Sequence, residues 1–164
     1  MEIIAYEMQL NKAAADASNI SCIPFQKQYF EEYKRIYNEC FYDMRKALDI
    51  EPYDFLQDYG QIVDKVGDIY LLVDNEEIIG AVACYGNEID DLIVNHKFQK
   101  QGYGKQLLLW GIQRIRERSD QPITLHVAAW NQGAVALYEK CGFEIVKREK
   151  RINDHKACVS PAIQ

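Results

Sequence analysis

Two glycines, Gly102 and Gly104, stand one residue apart in the segment QKQGYGKQLLLWG, where a polar run meets an apolar stretch. The first turn of a helix exposes backbone N–H groups that have no partner within the helix, and glycine lets a bulky anion approach them closely. This chemistry suits a phosphate group. The alternative interpretation is a helix that simply begins after a tight glycine turn, and the segment by itself favours neither.

The spacing of these glycines differs from that of two common nucleotide-binding loops. A P-loop would need glycine in place of Gln99 and serine or threonine in place of Gln106. A dinucleotide-binding fingerprint would need a third glycine in place of Leu107. A phosphate bound at this segment would therefore belong to another class of ligand.

A pair of adjacent acids, Asp90 and Asp91, lies within a predicted strand. Strict alternation along the strand would send one carboxylate to each face of the sheet, and carboxylates are rarely buried without partners. One explanation is an acidic wall that attracts an ammonium substrate, which accounts for one of the two. The other is a strand that lies closer to solvent, which accounts for both.

Composition and charge exclude several function classes. The net charge of -6 and the pI of about 5.1 argue against nucleic-acid and membrane partners, because those surfaces require clustered Lys and Arg. His96, His126 and His155 are too far apart for a metal motif, so no metal is expected. Met1 precedes Glu2 with no apolar leader or span, and the scattered cysteines favour a reducing compartment, so we expect a cytoplasmic protein. The five cysteines are Cys22, Cys40, Cys84, Cys141 and Cys158.

The apolar pattern predicts one domain over residues 1–164, with a mixed α/β (α+β) fold and a β-α-β unit in its middle. Helices are predicted at 29–48, at 52–66, from the glycines to 118, and at 131–142, where Asn131 is the N-cap and Gly142 the stop. Residues 1–18 are predicted to be an extra edge element or a mobile arm. Strands are predicted at 20–25, 68–74, 77–86, 88–94, 123–128, 143–152 and 157–160, the last two as a closing hairpin.

Two segments together resemble the GNAT family of N-acetyltransferases. Gln99-x-x-Gly102-x-Gly104 after a strand resembles the acetyl-CoA loop of that family. The segment LHVAAWNQGAVALYEKCGFE, residues 125–144, resembles its downstream block. The resemblance implies a mostly antiparallel central sheet with helices on both faces. The positions that match the downstream block are Asn131, Leu137, Tyr138, Gly142 and Phe143.

The resemblance also implies a set of residues that bind acetyl-CoA. The loop backbone would hold the pyrophosphate, and strands 92–94 and 125–128 would splay apart to admit the pantetheine arm. The N–H near Leu92 would face the thioester oxygen, while Asn131 and Tyr138 would lie against the cofactor. The implied cofactor-binding residues are Leu92, Ile93, Val94, Gln99, Lys100, Gln101, Gly102, Tyr103, Gly104, Lys105, Asn131 and Tyr138.

Amine attack on a thioester needs an acid for the leaving thiolate and a base for the amine. Tyr138 is the candidate acid because a phenol stays protonated at neutral pH, although its helical spacing also fits a core tyrosine. Glu88 stands where histone-acetylating members carry a catalytic glutamate. His126 stands where amino-terminal acetyltransferases of ribosomal proteins carry a glutamate that acts through water. Asp90 and ordered water are the further alternatives for the base.

The resemblance thus predicts an acetyl-CoA-dependent N-acetyltransferase that transfers directly in a ternary complex. The acceptor is an amine, and a small amine is favoured over a protein amine because no peptide-binding signal is present. The competing hypothesis is a CoA-binding sensor or interaction module of the same fold without turnover. Many such domains pair through edge strands, so a homodimer is a further expectation.

Overall fold

The computed structural model describes residues 2–12 and 16–152 of the chain. They form seven strands and three α-helices. The strands are β1 Glu2–Leu10, β2 Ile23–Pro24, β3 Ile69–Asp74, β4 Glu77–Tyr85, β5 Glu88–Val94, β6 Ile123–Ala128 and β7 Glu144–Ile152. The helices are α1 Phe30–Ala47, α2 Tyr103–Arg116 and α3 Gln132–Lys140.

The strands form one sheet in the order β2-β3-β4-β5-β6-β1-β7. Every neighbouring pair is antiparallel except β5 and β6, which are parallel and connected through α2. One apolar cluster packs α1 against one face of the sheet, and a second packs α2 and α3 against the other. The predicted mixed, mostly antiparallel sheet with helices on both faces is confirmed.

The N-terminal strand β1 lies inside the sheet, between β6 and β7, so the expectation of an edge element or mobile arm is wrong for residues 2–10. Its sequence explains the position, because it is apolar on both sides. Ala5 belongs to the cluster around α1, whereas Met8 and Leu10 belong to the cluster around α2 and α3. A strand buried on both faces needs a partner along each edge. The predicted hairpin strand at 157–160 lies outside the described residues, and β1 is the strand that pairs with β7.

The second predicted helix, at 52–66, is also wrong. The segment is irregular and contains only single 3-10 turns, at Tyr59–Gln61 and Val66–Asp68. Its backbone is bound by side chains instead: Asn38 of α1 exchanges two hydrogen bonds with the backbone of Leu56, at 2.8 and 3.0 Å. Side chains that satisfy backbone groups in this way compete with helix formation. Leu56 is fully buried and fixes the segment against α1.

Helix α3 begins and ends where the sequence predicts. The Asn131 side chain accepts a hydrogen bond from the Ala134 N–H at 3.1 Å, which makes it the N-cap. Gly142 follows the helix with a φ of +99°, a conformation that glycine adopts without steric cost. The predicted strand at 20–25 shortens to Ile23–Pro24.

Candidate active site

The glycine loop links the end of β5 to the start of α2. Gly102 is the N-cap of α2 and adopts a φ of +87°, and Lys100 also has a positive φ, of +63°. Because its N-cap has no side chain, α2 begins without a side-chain cap. The first turn of α2 therefore combines the positive end of the helix dipole with a backbone that an anion can approach.

A cleft of about 720 Å³ opens in front of this loop, between α1, the end of β5 and the start of α3. Its volume is in the usual range for a small-molecule site. All predicted cofactor-binding residues except Gln101 and Lys105 line it. Those lining residues are Leu92, Ile93, Val94, Gln99, Lys100, Gly102, Tyr103, Gly104, Asn131 and Tyr138.

Strands β5 and β6 pair at one end and separate toward the cleft. Glu88 opposite Thr124 is the single residue pair that joins them within the described chain, supported by the Thr124 N–H donating to the Asn87 carbonyl at 2.9 Å. Beyond this pair, the cleft lies between Leu92–Val94 and the start of α3. Backbone groups of β5 that face a missing strand are able to bind an extended ligand.

A bulge in β5 changes the direction of its two acids. The register between β4 and β5 shifts between Ala81 and Ala83, and Asp91 has a φ of +45°. The Asp91 carboxylate lies against the Tyr85 hydroxyl, on the side of the sheet that packs against α1, whereas the charge of Asp90 acts both on Tyr33 of α1 and on Tyr138 of α3. Asp90 and Asp91 are only 5% and 1% exposed, which rules out a strand close to solvent.

Asp91, the second of the two adjacent acids in β5, has a strongly perturbed carboxyl group. Burial raises its pKa from 3.8 to about 6, against the opposing effects of Lys65 and of the hydroxyl groups of Tyr85 and Tyr37. The Tyr85 hydroxyl donates to Oδ2 of Asp91 at 3.2 Å. A carboxyl group with this pKa is able to change its charge in the range where enzymes work.

Tyr138 is both a core residue and a residue of the cleft. Its side chain is 2% exposed and packs against the Phe143 ring, with the ring centroids 6.1 Å apart. Burial, followed by the negative charge of Asp90, raises the pKa of its phenol. The phenol is therefore protonated at neutral pH and is able to donate a proton.

The two leading candidates for the base lie in direct contact with each other. His126 Nδ1 lies 3.0 Å from Glu88 Oε1, and His126 Nε2 lies 3.5 Å from Glu7 Oε1 of β1. All three side chains are partly exposed. Neither His126 nor Glu88 lines the cleft that contains Tyr138, and neither does Asp90. Glu7 was missed because its position beside His126 depends on the placement of β1.

Lys105, a predicted contact for the pyrophosphate, is engaged elsewhere. Its Nζ lies 3.0 Å from Asp16 Oδ2, which raises the pKa of Lys105. The residues that follow Asp16 also contact α2, since the Asn19 N–H donates to the side-chain oxygen of Gln106 at 2.8 Å. An anion at the start of α2 would have to share Lys105 with Asp16.

The opposite wall of the cleft was not predicted from the sequence. It comes from the second half of α1 and includes Cys40, whose thiol donates to the Val94 carbonyl at 3.2 Å. Trp130, next to the predicted Asn131, also lines the cleft and is 48% exposed. The tryptophan beside Asn131 is the one sequence signal that could have marked its part of the cleft, whereas the α1 wall gave none, since α1 has the pattern of an ordinary amphipathic helix.

The described residues lack two further features. No group of three or more His, Cys, Asp or Glu side chains in that part of the chain is arranged to hold a metal ion. No described helix is long and apolar enough to cross a bilayer.

Comparison with known sequences identifies related proteins. The profile of the acetyltransferase (GNAT) family matches residues 30–143. Mycothiol acetyltransferase of Corynebacterium glutamicum (strain ATCC 13032) is 32% identical over 88 residues, which cover 51% of this chain and 30% of that protein. An uncharacterised N-acetyltransferase of Bacillus subtilis, YvbK, is 34% identical over 58 residues, which cover 35% of this chain and 37% of that protein. The chain thus spans 30% of the length of the first relative and 37% of the length of the second.

Comparison with solved structures concerns the fold. A putative acetyltransferase of the GNAT family from Novosphingobium aromaticivorans superposes with a TM-score of 0.66 at 15% identity, covering 92% of this chain and 63% of that one. The protein PH1933 from Pyrococcus horikoshii superposes with a TM-score of 0.61 at 20% identity, covering 83% of this chain and 99% of that one.

Proposed function

The chain belongs to the acetyltransferase (GNAT) family, and on that premise we propose that it transfers an acetyl group from acetyl-CoA directly to a primary amine. The observation that carries this proposal is the cleft, which joins a glycine N-cap at the start of α2 to the gap between β5 and β6. A phosphate-bearing ligand with an extended arm matches both ends of such a cleft.

The residues present suit acetyl-CoA. Gly102 and Gly104 leave the first-turn N–H groups of α2 open to a pyrophosphate, and an added Cβ at Gly102 would meet no atom within 4 Å, so the loop is not crowded. Leu92 and Val94 would offer backbone groups to the amides of the arm. Asn131 would lie against the arm while it caps α3, because a cap uses only one of its side-chain atoms.

Bound acetyl-CoA would supply an acetyl group activated as a thioester. The backbone N–H near Leu92 would stabilise the negative charge that develops on the acetyl oxygen, a type of contribution worth about 3 kcal/mol. Tyr138 would give its proton to the departing sulfur, since its raised pKa keeps it protonated. Burial of the Tyr138 side chain would also exclude water from the reacting group.

For the base we propose the pair formed by Glu88 and His126. Their contact of 3.0 Å lets the carboxylate orient the imidazole, as in other pairs in which a carboxylate fixes a histidine ring. Since the pair does not line the cleft, a proton would have to reach it from the amine through water. Asp90 remains the alternative, because it is close enough to Tyr138 to raise the pKa of the phenol.

A small amine is the proposed acceptor. The relatives named mycothiol acetyltransferase support a small-molecule acceptor, although their match covers about half of this chain. A homodimer and a cytoplasmic location stay predictions from the sequence. The second candidate function is a CoA-binding module without turnover, which is favoured by the position of the candidate bases, since Glu88, His126 and Asp90 do not line the cleft.

Calorimetric titration with acetyl-CoA tests the proposal, with ATP and NAD as controls. Micromolar binding of acetyl-CoA alone, about -8 kcal/mol, is expected. Release of thiol on addition of a panel of primary amines would then separate the enzyme from the inactive module. Absence of heat from a folded sample at millimolar acetyl-CoA would refute both functions.

A further inference from the structure

Asp91 lies in the bulge of β5, immediately before Leu92, and one of its two carboxylate oxygens accepts no hydrogen bond. Oδ2 accepts from the Tyr85 hydroxyl, whereas Oδ1 is buried without a hydrogen-bond partner. The hydroxyl of Tyr33 is buried without a partner as well, and these are the two such side-chain atoms in the described part of the chain. An unsatisfied buried polar group costs about 1–3 kcal/mol, so two at one place indicate a ligand that binds there.

Tyrosine rings surround this carboxylate. Tyr33 and Tyr37 come from α1, with ring centroids 5.9 Å apart, and Tyr85 comes from the end of β4. The Tyr85 hydroxyl bonds to Asp91 directly, and the negative charge of Asp91 raises the pKa of all three phenols. A buried carboxylate among aromatic rings attracts a cation through both charge and the ring faces.

The chain places an ammonium group of its own at this site. Lys65 Nζ lies 4.0 Å from Asp91 Oδ2 and 5.5 Å from the centroid of the Tyr85 ring. The distance of 4.0 Å is longer than that of a charge-assisted hydrogen bond, about 2.8 Å, so Lys65 pairs only weakly with the acid. Lys65 also comes from the irregular 52–68 segment and is 30% exposed, which allows its side chain to leave.

We propose that Asp91, together with Tyr33, Tyr37 and Tyr85, binds the primary ammonium group of the acetyl acceptor, and that Lys65 is the internal ammonium group that the acceptor displaces. This inference rests on the proposed function, because it assigns the acceptor site of that reaction. Asp91 does not itself line the cleft, but it directly precedes Leu92, which does, so the ammonium site would lie behind the β5 wall of the cleft. The substrate class is a compact primary alkylammonium ion, which reproduces the chemistry of the lysine head group.

Displacement of Lys65 can be observed without turnover. Protein labelled with ¹³C and ¹⁵N at lysine is titrated with n-butylammonium chloride, with sodium chloride as the ionic-strength control, and the Lys65 resonance is assigned with Lys65→Met. We expect the Lys65 Cε signal to move in a saturable manner toward that of exposed lysines. Lys27 is a matched control, because its Nζ also lies over a tyrosine ring, 5.1 Å from the centroid of Tyr59.

Two variants separate binding from structure. Asp91→Asn should weaken n-butylammonium binding at least 10-fold while the affinity for acetyl-CoA stays within 2-fold. Lys65→Met should strengthen n-butylammonium binding several-fold, because the competing ammonium is gone, and Lys27→Met should leave it unchanged. Thermal unfolding confirms that each variant is folded.

The outcomes distinguish this inference from the proposed function. If acetyl-CoA binds but the Lys65 signal does not move, with and without CoA, up to 100 mM n-butylammonium, the acceptor site is elsewhere and the acetyltransferase proposal stands. An unchanged n-butylammonium affinity in Asp91→Asn overturns the inference as well. If the Lys65 signal moves and acetyl-CoA does not bind, the ammonium site is real and the acetyl-transfer function is refuted.

Discussion

Glu88 Oε1 lies 3.0 Å from His126 Nδ1, at the end of the sheet where β5 and β6 still pair. Glu7 Oε1 lies 3.5 Å from the other ring nitrogen of the same histidine. Three neighbouring strands thus hold one imidazole between two carboxylates. The sequence offers Glu88 and His126 as competing candidates for the base, whereas their contact makes them one unit in which the carboxylate orients the ring.

Replacing the two glutamates separately tests this unit. Glu88→Gln should lower kcat/KM by about 10- to 100-fold, because an amide no longer fixes the imidazole as a carboxylate does. Glu7→Gln should lower kcat/KM by less than 3-fold, because Glu7 lies farther from the imidazole of His126 than Glu88 does. Steady-state rates across pH 6–9 provide the measurement, and equal losses in the two variants would show that His126 does not depend on Glu88.

Tyr138→Phe removes the candidate acid and retains the ring packing against Phe143. We expect kcat to fall by about 10²-fold or more, since a positioned acid contributes at least that much, with little change in acetyl-CoA affinity. Tyr103→Phe is the control, because Tyr103 lines the same cleft at the start of α2. If transfer rates of Tyr138→Phe equal those of the wild type, Tyr138 is a packing residue only.

Gly104→Ala separates cofactor binding from folding. The added Cβ would lie 3.7 Å from Leu137 Cδ2 and 3.9 Å from Val94 Cγ2, both ordinary contacts. Alanine is the better helix former by up to about 1 kcal/mol, so stability should be kept or should rise. The methyl group would enter the cleft, and calorimetry should show at least 10-fold weaker acetyl-CoA binding. An unchanged affinity would place the phosphates away from this turn.

Gly80→Ala should destabilise the fold, although alanine is no worse than glycine for a strand. The added Cβ would lie 2.6 Å from the Ile93 carbonyl oxygen and 2.6 Å from Leu107 Cδ1, so the backbone of β5 would have to move. We expect a loss of about 1–3 kcal/mol in urea unfolding. Gly133→Ala is the matched control, since its nearest neighbour would be 3.9 Å away, and it should be neutral or stabilising.

The stability of the protein should fall as the pH rises through the titration of Asp91. Its pKa is raised from 3.8 to about 6 in the folded state, so the folded state binds the proton more tightly and loses this advantage between about pH 4 and pH 7. The groups around it are Lys65, Tyr85, Tyr37, and the nearby charge of Glu88. At about 1.4 kcal/mol per pKa unit, the free energy of unfolding should fall by roughly 2–3 kcal/mol over this range.

Asp91→Asn should remove this part of the pH dependence. Urea unfolding of both proteins at pH 4.5 and pH 7.5 measures this dependence. Between these two pH values the wild type should lose roughly 2–3 kcal/mol of unfolding free energy that the variant does not lose. A parallel pH dependence in the two proteins would mean that Asp91 ionises as readily in the folded state as in the unfolded chain.

The features that the sequence predicted correctly depend on residues that are close together in the chain. Helix α1, the strands β3 to β6, the N-cap at Asn131 and the stop at Gly142 follow from periodicity and capping within each segment, and the structure confirms them. The structure also brings most of the predicted cofactor-binding residues to one cleft. The reason is that the glycine loop follows β5 and Asn131 follows β6, and these two strands form the parallel pair.

Features that depend on distant contacts could not be predicted. The place of β1 is decided by pairing with β6 and β7, far along the chain, and Glu7 reaches His126 only through that pairing. The 52–66 segment has helix-like apolar spacing, but Asn38 of another element binds its backbone. The direction of Asp91 results from a bulge, which is a property of two paired strands rather than of one sequence segment.

The interior position of β1 also decides when the protein is able to fold during its synthesis. Glu2 pairs with Ile152 and Leu10 with Ile123, so β1, once synthesised, waits for β6 and for β7, the last described strand. Contacts so distant in sequence close slowly. Until then, an apolar strand with both edges unpaired is exposed, and it is the segment for which we expect a nascent-chain chaperone to have the highest affinity.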